Sequence, residues 1–407
     1  MLQRNIEKFL RRSHFWRDVG FNELSELYIS NMLRSVALTI FMVFVPFFLY
    51  QQHYSGPAIF SLYGLFFVGR MFCDIIAAFV VAKYGPKHTM ILSCLLQIVS
   101  AGLLLSVPTY HWNVAILAIP WGASASFFFI AYHVVFSKIK HTAKAGAELG
   151  HMQAFEKFGN LIGPFIGGVV GTVLGPQYIF LVATLLLITS LWPLFRTAEP
   201  VRARQKIQFK LLPVAKLKHD FFSYVCLGVE NTLCMNTWPF YISVFVLSGA
   251  VYAQLGSLSA FGVLASILSA KLVGRIADTA YARKVLRVGA ILNVGTYAVR
   301  PWVHSLWGLF AINSANEAIT AAYRMPYMKG MYASADDLPG LRIVYVSSME
   351  AMASVVKCTA WFGLAILAMT FPLKDVLFLS FFIASLASIG IMQERFAVYN
   401  TKSKALA

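Results

Sequence analysis

The sequence predicts an all-α membrane protein of twelve transmembrane helices in two pseudo-symmetric six-helix bundles. Three observations lead there. Of 407 residues, 58% are hydrophobic and only 13% are charged, against roughly 25% charged in an average globular protein. Too few polar side chains remain to cover such a body in water, which excludes a soluble globule. The apolar residues run continuously for about 18 residues or more, enough to cross the hydrocarbon as a helix, where barrel strands would show short alternation. One long polar stretch divides these runs six and six.

Residues 1–27 are basic and polar and lack the cleavage site of a secretory signal, so the N-terminus is expected to stay attached. Leu2, Ile6, Phe9 and Leu10 oppose Arg4, Lys8, Arg11 and Arg12, which fits either an amphipathic helix on an anionic leaflet or a solvated tail. Six spans are predicted at 28–50, 57–83, 89–107, 112–137, 149–173 and 176–195, forming a bundle over 28–195. The linker 196–219 carries Arg202, Arg204, Lys206, Lys210, Lys216 and Lys218. A second bundle, 220–394, holds spans at 220–247, 252–279, 285–302, 305–330, 343–370 and 375–393, and 395–407 is a tail.

With the N-terminus inside, the alternate connecting segments hold 25 of the 34 lysines and arginines. The opposite face receives only Arg300 and Lys374, so both termini are expected in the cytoplasm, at the cell membrane. This distribution accounts for the net charge of +17 and leaves no basic stripe for nucleic acid. The five cysteines lie in apolar runs without metal or redox spacing. Phosphate loops, zinc spacings and nucleophile triads are absent, so no enzyme activity, cofactor, catalytic residue or metal site is expected.

An ionised side chain at the centre of a membrane helix costs about 2.5–3.5 kcal/mol on insertion scales, so such residues face one another or a wet cavity. Here they fall on helix one (Arg34), two (Arg70, Asp74), five (Glu156, Lys157), seven (Glu230), eight (Lys271, Arg275, Asp278), ten (Glu317, Arg324) and eleven (Glu350, Lys357), with His133 on four. Helices three, six and twelve carry none, so every third helix reads as lipid-facing.

The halves share a local pattern. Ala131-Tyr132-His133-Val134-Val135-Phe136-Ser137-Lys138 ends helix four, and Ala322-Tyr323-Arg324-Met325-Pro326-Tyr327-Met328-Lys329 ends helix ten. Parallel repeats of this kind characterise one class of secondary transporters. In helix five, Gly159-Asn160-Leu161-Ile162-Gly163-Pro164-Phe165-Ile166-Gly167-Gly168 has glycines spaced for close backbone approach and a proline that withdraws one hydrogen bond. With the twelve-helix pattern over 28–394, this resembles the major facilitator superfamily, whose G-x-x-x-G-P-x-x-G-G pattern it matches in full. The resemblance implies alternating access between two bundles, a monomer, and the proton-coupled exporter type in which that pattern is called the antiporter motif. The family's loop between helices two and three is matched at Lys83, Gly85 and Lys87, but Ala82 replaces its acid and Pro86 a basic residue. The second-half loop keeps Gly274 and Asp278, so the resemblance implies that Asp278 with Arg275 carries more of the latch.

Arg70 and Asp74 are i and i+4 near the middle of helix two and share one face. They read either as a proton-responsive pair or as a static ion pair fixing helix packing. Lys357 reads as a cavity residue, and Glu156, Lys157 and Glu350 as gating or packing residues beside Gly159, Gly163, Pro164, Gly167 and Gly168. Glu230 and Glu317 lack a local partner and are expected to be protonated or paired across helices, for example with Lys271 or Lys357. Arg34 reads as an interfacial arginine, and Trp121, Tyr132, Trp238 and Tyr241 fit an aromatic cavity lining. The expected function is secondary active transport of a small amphipathic organic solute by alternating access, as proton-coupled export. Proton-coupled uptake, or ligand sensing or lipid handling without coupling, stays open. The expected partners are that solute, protons and the bilayer.

Overall fold

The computed structural model describes residues 23–139, 145–196, 207–277, 281–338 and 340–399. Residues 1–22 of the predicted N-terminal segment, residues 197–206 of the basic linker, the last eight residues of the tail and Asp278 lie outside the described residues, as do the side chains of Lys271 and Arg275.

Twelve long helices run through the described residues. The first, α1, is Glu23–Met42, continued by Val45–Gln51. Its break precedes Pro46, which has no N–H to bond back along the helix. Then follow α2 (Gly56–Tyr84), α3 (Pro86–Leu105), α4 (Val114–Ile139), α5 (Ala145–Val173) and α6 (Pro176–Arg196). The second set is α7 (Val214–Phe245), α8 (Val251–Ala277), α9 (Ala282–Val299), α10 (Leu306–Asp336), α11 (Arg342–Leu367) and α12 (Leu373–Ile391). Each predicted span has its helix, with differences at the ends: α7 begins at Val214 and α10 continues to Asp336, both past the apolar stretch that defined them. Between α2 and α3 the chain turns on Gly85 alone, at φ +90°, where a side chain would be strained. This is the glycine the loop motif singles out.

Eight of these helices, α1 to α4, α6, α8, α11 and α12, are long and apolar enough to cross a membrane on composition alone. The other four carry polar groups along their length: Glu156 and Asn160 on α5, Glu230 and Asn231 on α7, Asn293 on α9, and Asn313, Asn316 and Glu317 on α10. They cross because their polar residues turn toward neighbouring helices.

Helix pairing shows the repeat directly. In the first half α1 packs on α5 and α6, α2 on α4, and α3 on α4 and α6. In the second, α7 packs on α11 and α12, α8 on α10, and α9 on α10 and α12. Adding six to each label of the first set generates the second. The halves meet along α2 with α11 and α5 with α8, two seams exchanged by the same shift. Helices α3, α6, α9 and α12 make their principal contacts within their own half and leave Leu95, Val99, Leu185, Ile188, Ile291, Leu292, Phe382 and Leu386 exposed. They form the lipid-facing flanks.

The α5 glycines divide between two neighbours. A Cβ on Gly159 would lie 2.9 Å from Met32 O, and one on Gly163 2.8 Å from Val36 O, both on α1. A Cβ on Gly168 would lie 2.7 Å from Tyr252 O on α8, where Gly256 faces it. The motif therefore fixes one seam inside the first half and another between the halves. At α2 and α11 the contact is made by side chains instead: Tyr63 stacks on Trp361 at 4.6 Å, and Gly64 leaves room for Phe362.

Gly163→Val is expected to abolish recovery of monodisperse protein in detergent, because backbone on α1 must move. Gly295→Ala meets nothing within 4 Å and should raise stability by up to about 1 kcal/mol through helix propensity. Size-exclusion profiles and thermal unfolding of the two variants test this.

Candidate functional site

At mid-length of α2, Arg70 and Asp74 stack one turn apart with 3.6 Å between Nη2 and Oδ1. Their principal partners are on the other half of the molecule. Arg70 Nη2 donates to Glu350 Oε2 of α11 at 3.0 Å, and Ser354, one turn further on α11, donates to Asp74 Oδ2 at 3.0 Å. Tyr224 of α7 donates its hydroxyl to Glu350 Oε1 at 2.5 Å. Behind the pair, Ser126 of α4 donates to Arg70 O at 3.3 Å, and Phe129 lies 5.2 Å from the guanidinium. Lys357, two turns along α11 from Glu350, places Nζ 5.3 Å from the Phe67 ring of α2, beside Gly228 of α7. Two cations and two carboxylates thus form one buried, charge-balanced cluster that straddles the halves. Asp74 Oδ1 lacks a hydrogen-bond donor among the described residues.

The sequence places Arg70 with Asp74 through their spacing, but assigns Glu350 to a gate. Its partner stands 280 residues away, beyond the reach of helical periodicity. Tyr224 and Ser354 escape sequence reading because an uncharged hydroxyl in an apolar helix carries no signal of its own.

A second group of polar residues surrounds the space between the halves. Lys157 Nζ reaches Ser266 Oγ of α8 at 3.2 Å, Glu156 accepts from Tyr132 of α4 at 3.1 Å, and Arg324 donates to Asn231 of α7 at 3.4 Å. Glu317 sits against Gly262 of α8. Lys157 lies within Coulombic reach of Arg324, Glu317 and Glu156, and Arg324 within reach of Lys357. These side chains are half-buried or exposed at the mid-lengths of their helices. Charged groups at that depth do not face acyl chains, and here they turn toward neighbouring helices. His133 of α4 and Tyr332 of α10 join across the same division at 2.7 Å.

Glu230 departs from its expected place. It turns into the interior of the second bundle, where Asn293 of α9 donates to Oε1 at 3.0 Å and Tyr297 donates to the same oxygen. Asn293 also contacts Ser388 of α12 at 3.2 Å and accepts from Asn316 of α10 at 2.7 Å. Arg300 completes the chain by donating to Asn316 Oδ1 at 2.8 Å and Cys234 Sγ at 3.2 Å. Glu230 is thus paired across helices, with α9 and not with Lys357. Arg300, expected on an exposed face, is fully buried between Trp238 and Tyr297 at 4.7 and 4.8 Å. Trp238 and Tyr241 pack on Phe381 of α12, which turns them away from the space between the halves. Arg34 is likewise not interfacial: it is buried among α3, α4 and α6.

Removing one partner of a buried pair leaves the other charge uncompensated, at a typical cost of about 3–5 kcal/mol. Glu350→Ala should accordingly lower stability by that order. Arg70→Met combined with Glu350→Met should recover most of the loss. Denaturant unfolding of the single and double variants measures the coupling.

The two-seam, twelve-helix arrangement has counterparts among solved structures. The nucleoside transporter NupG superposes with a TM-score of 0.69 at 10% identity, covering 91% of this chain and 99% of that one. A POT family transporter in complex with 5-aminolevulinic acid gives 0.68 at 10% identity over 90% and 94%. Among curated relatives, the multi-drug resistance efflux pump PmrA of Streptococcus pneumoniae serotype 4 is 23% identical over 303 residues, 69% of this chain and 72% of its own length. The multidrug resistance protein MdtG of Salmonella choleraesuis is 22% identical over 360 residues, 83% and 88% of the two chains. The sequence profile described as Major Facilitator Superfamily matches residues 27–327. With its paired bundles, its glycine seam on α5 and this match over most of its length, the chain is a membrane transporter belonging to the major facilitator superfamily.

Proposed function

We propose that the protein is a proton-coupled exporter of small amphipathic organic compounds, acting as a monomer in the cell membrane with both termini in the cytoplasm. One observation carries this reading: the Arg70, Asp74, Glu350 and Lys357 cluster bridges the bundles along α2 and α11. Such a cluster is stable when all four groups are charged and is weakened when one carboxylate gains a proton. Protonation of Asp74 leaves Arg70 with Glu350 alone and turns a balanced cluster into a cationic one. Alternating access needs a link between the halves that forms in one state and loosens in another, and a buried carboxylate on the seam supplies it. Export direction is supported by the α5 glycine motif and by the efflux names of the relatives. The excess of lysine and arginine on alternate connections supports the orientation.

A small organic solute fits the polar residues around the inter-bundle space, Glu156, Lys157, Glu317 and Arg324, with the aromatic rings of Phe67, Tyr132 and Trp361 nearby. Binding competes with the charges of the cluster, so occupancy by cargo and by protons is mutually dependent. The six-helix division at 28–195 and 220–394 is the rocking unit, and the basic linker joins the units on the cytoplasmic side.

Purified protein in liposomes with an imposed pH gradient tests the proposal against a panel of amphipathic dyes and drugs. Wild type should drive net movement of at least one compound against its gradient and acidify or alkalinise the lumen in step. Asp74→Asn should lose gradient-driven movement yet retain exchange of labelled for unlabelled compound. Net movement that ignores the pH gradient, or an Asp74→Asn variant indistinguishable from wild type, would remove proton coupling. Proton movement and cargo in the same direction would replace export by uptake.

A further inference from the structure

The repeat makes a comparison possible inside the molecule. In the second bundle the interior between α7, α9, α10 and α12 links a fully buried cation, Arg300, to a buried acid, Glu230, through Asn316 and Asn293. The corresponding layer of the first bundle, formed by α1, α3, α4 and α6, also holds a buried cation, Arg34, at 3% exposure. Among the side chains described in it there is no acid. Of the acids whose side chains are described in that half, Asp74 is engaged by Ser354 and Arg70, and Glu156 by Tyr132. Arg34 Nη1 reaches only Cys94 Sγ of α3, at 3.7 Å, while Cys94 lies 3.9 Å from Ser190 Oγ of α6. Phe128 of α4 covers the guanidinium at 4.0 Å from its ring centroid, leaving the Nε edge for an in-plane partner.

That edge has none. Arg34 Nε is a buried donor without a partner among the described residues, and so are Asn31 Nδ2, one turn before it on α1, and Gln97 Nε2, one turn after Cys94 on α3. Both helices run the same way from the same end of the bundle, and side chains lean toward the N-terminus of their helix. The long Gln97 side chain therefore leans back to the level of Cys94. Asn31 and Gln97 are 7% and 1% exposed. Three orphaned N–H donors, one of them charged, in a layer whose counterpart contains a carboxylate, are what an anion requires.

We propose that the first bundle binds a monatomic anion of the halide class, chloride under ordinary conditions, with Arg34 as its charged ligand and the Asn31 and Gln97 amides as donors. The bound ion takes the part that Glu230 takes in the second bundle: it compensates the buried arginine and holds α1 to α3. The site lies within the bundle, shut off by Ser30 bonding to Ser190 O at 2.7 Å and by the Ala37, Ala101 and Leu187 contact. It suits a structural ion and not an organic cargo. This inference does not depend on the direction or coupling of transport.

Thermal unfolding of the full chain in detergent, with sodium chloride, sodium bromide or sodium gluconate at equal ionic strength and no gradient present, tests it. Wild type should unfold at a higher temperature in chloride and bromide than in gluconate. Above the dissociation constant, the ratio of folded to unfolded protein should rise about tenfold per tenfold chloride, as for any ligand that binds only the folded state. Arg34→Gln should lose the difference between chloride and gluconate, and Gln97→Leu, which keeps the cation, should shift the effect to higher chloride. Cys94→Ser should retain it. Equal unfolding of wild type in chloride and gluconate overturns the proposal. So does loss of the chloride effect in Cys94→Ser, since a thiolate would then be the counter-charge. Should Arg34→Gln fail to fold, the Gln97→Leu shift and binding of radiolabelled chloride to wild type decide the matter.

Discussion

A guanidinium taken into a membrane must be met there by negative charge or by acceptors, because the bilayer offers no water to do it. Three arginines among the described residues are buried, and each solves the problem differently. Arg70 finds Glu350 on the opposite half and so ties the two bundles together. Arg300 finds Asn316 and, through Asn293, Glu230 inside one bundle. Arg34 finds a thiol and a ring. Where each charge is answered decides which helices are coupled: the first answer joins the two bundles, the second ties helices within one.

The same demand explains why four helices cross the membrane despite weak apolar character. α7, α9 and α10 bond Glu230, Asn293 and Asn316 to one another, and α5 sets Glu156 against Tyr132 of α4, so these polar atoms find partners within the protein. Association of this kind is cohesive in lipid, where an unpaired amide has no alternative partner. It also separates two environments within the protein. The Glu230 network is sealed by packed rings, while Glu156, Lys157 and Glu317 are half-buried and Arg324 is exposed.

Much of this was legible in the chain itself. Continuous apolar runs point to twelve long helices, and the glycines from Gly159 to Gly168 point to a seam whose neighbours, α1 and α8, only the structure names. Periodicity put Arg70 and Asp74 on one face because i and i+4 are local facts. It had no means of reaching Glu350, or of distinguishing an acid that faces the divide from one that faces its own bundle, so Glu230 and Arg300 were misplaced. Arg300 reads as a residue of the non-cytoplasmic face because it stands near the end of the predicted span 285–302. Its burial depends on Trp238 and Tyr297, one on another helix and one a turn earlier on its own. Tertiary partnership between distant polar residues is what a single sequence conceals.

The two seams between the halves are built from different materials. Where α5 meets α8, main chain lies on main chain at Gly168 and Gly256, with Pro164 O beside it and no side chain interposed. Where α2 meets α11, Tyr63, Phe60 and Trp361 interleave as knobs. Smooth surfaces can roll with no rotamer to change, whereas interlocked rings must first be withdrawn. A bundle pair joined in this way is built like a door in its frame, with a smooth jamb on one side and a toothed one on the other.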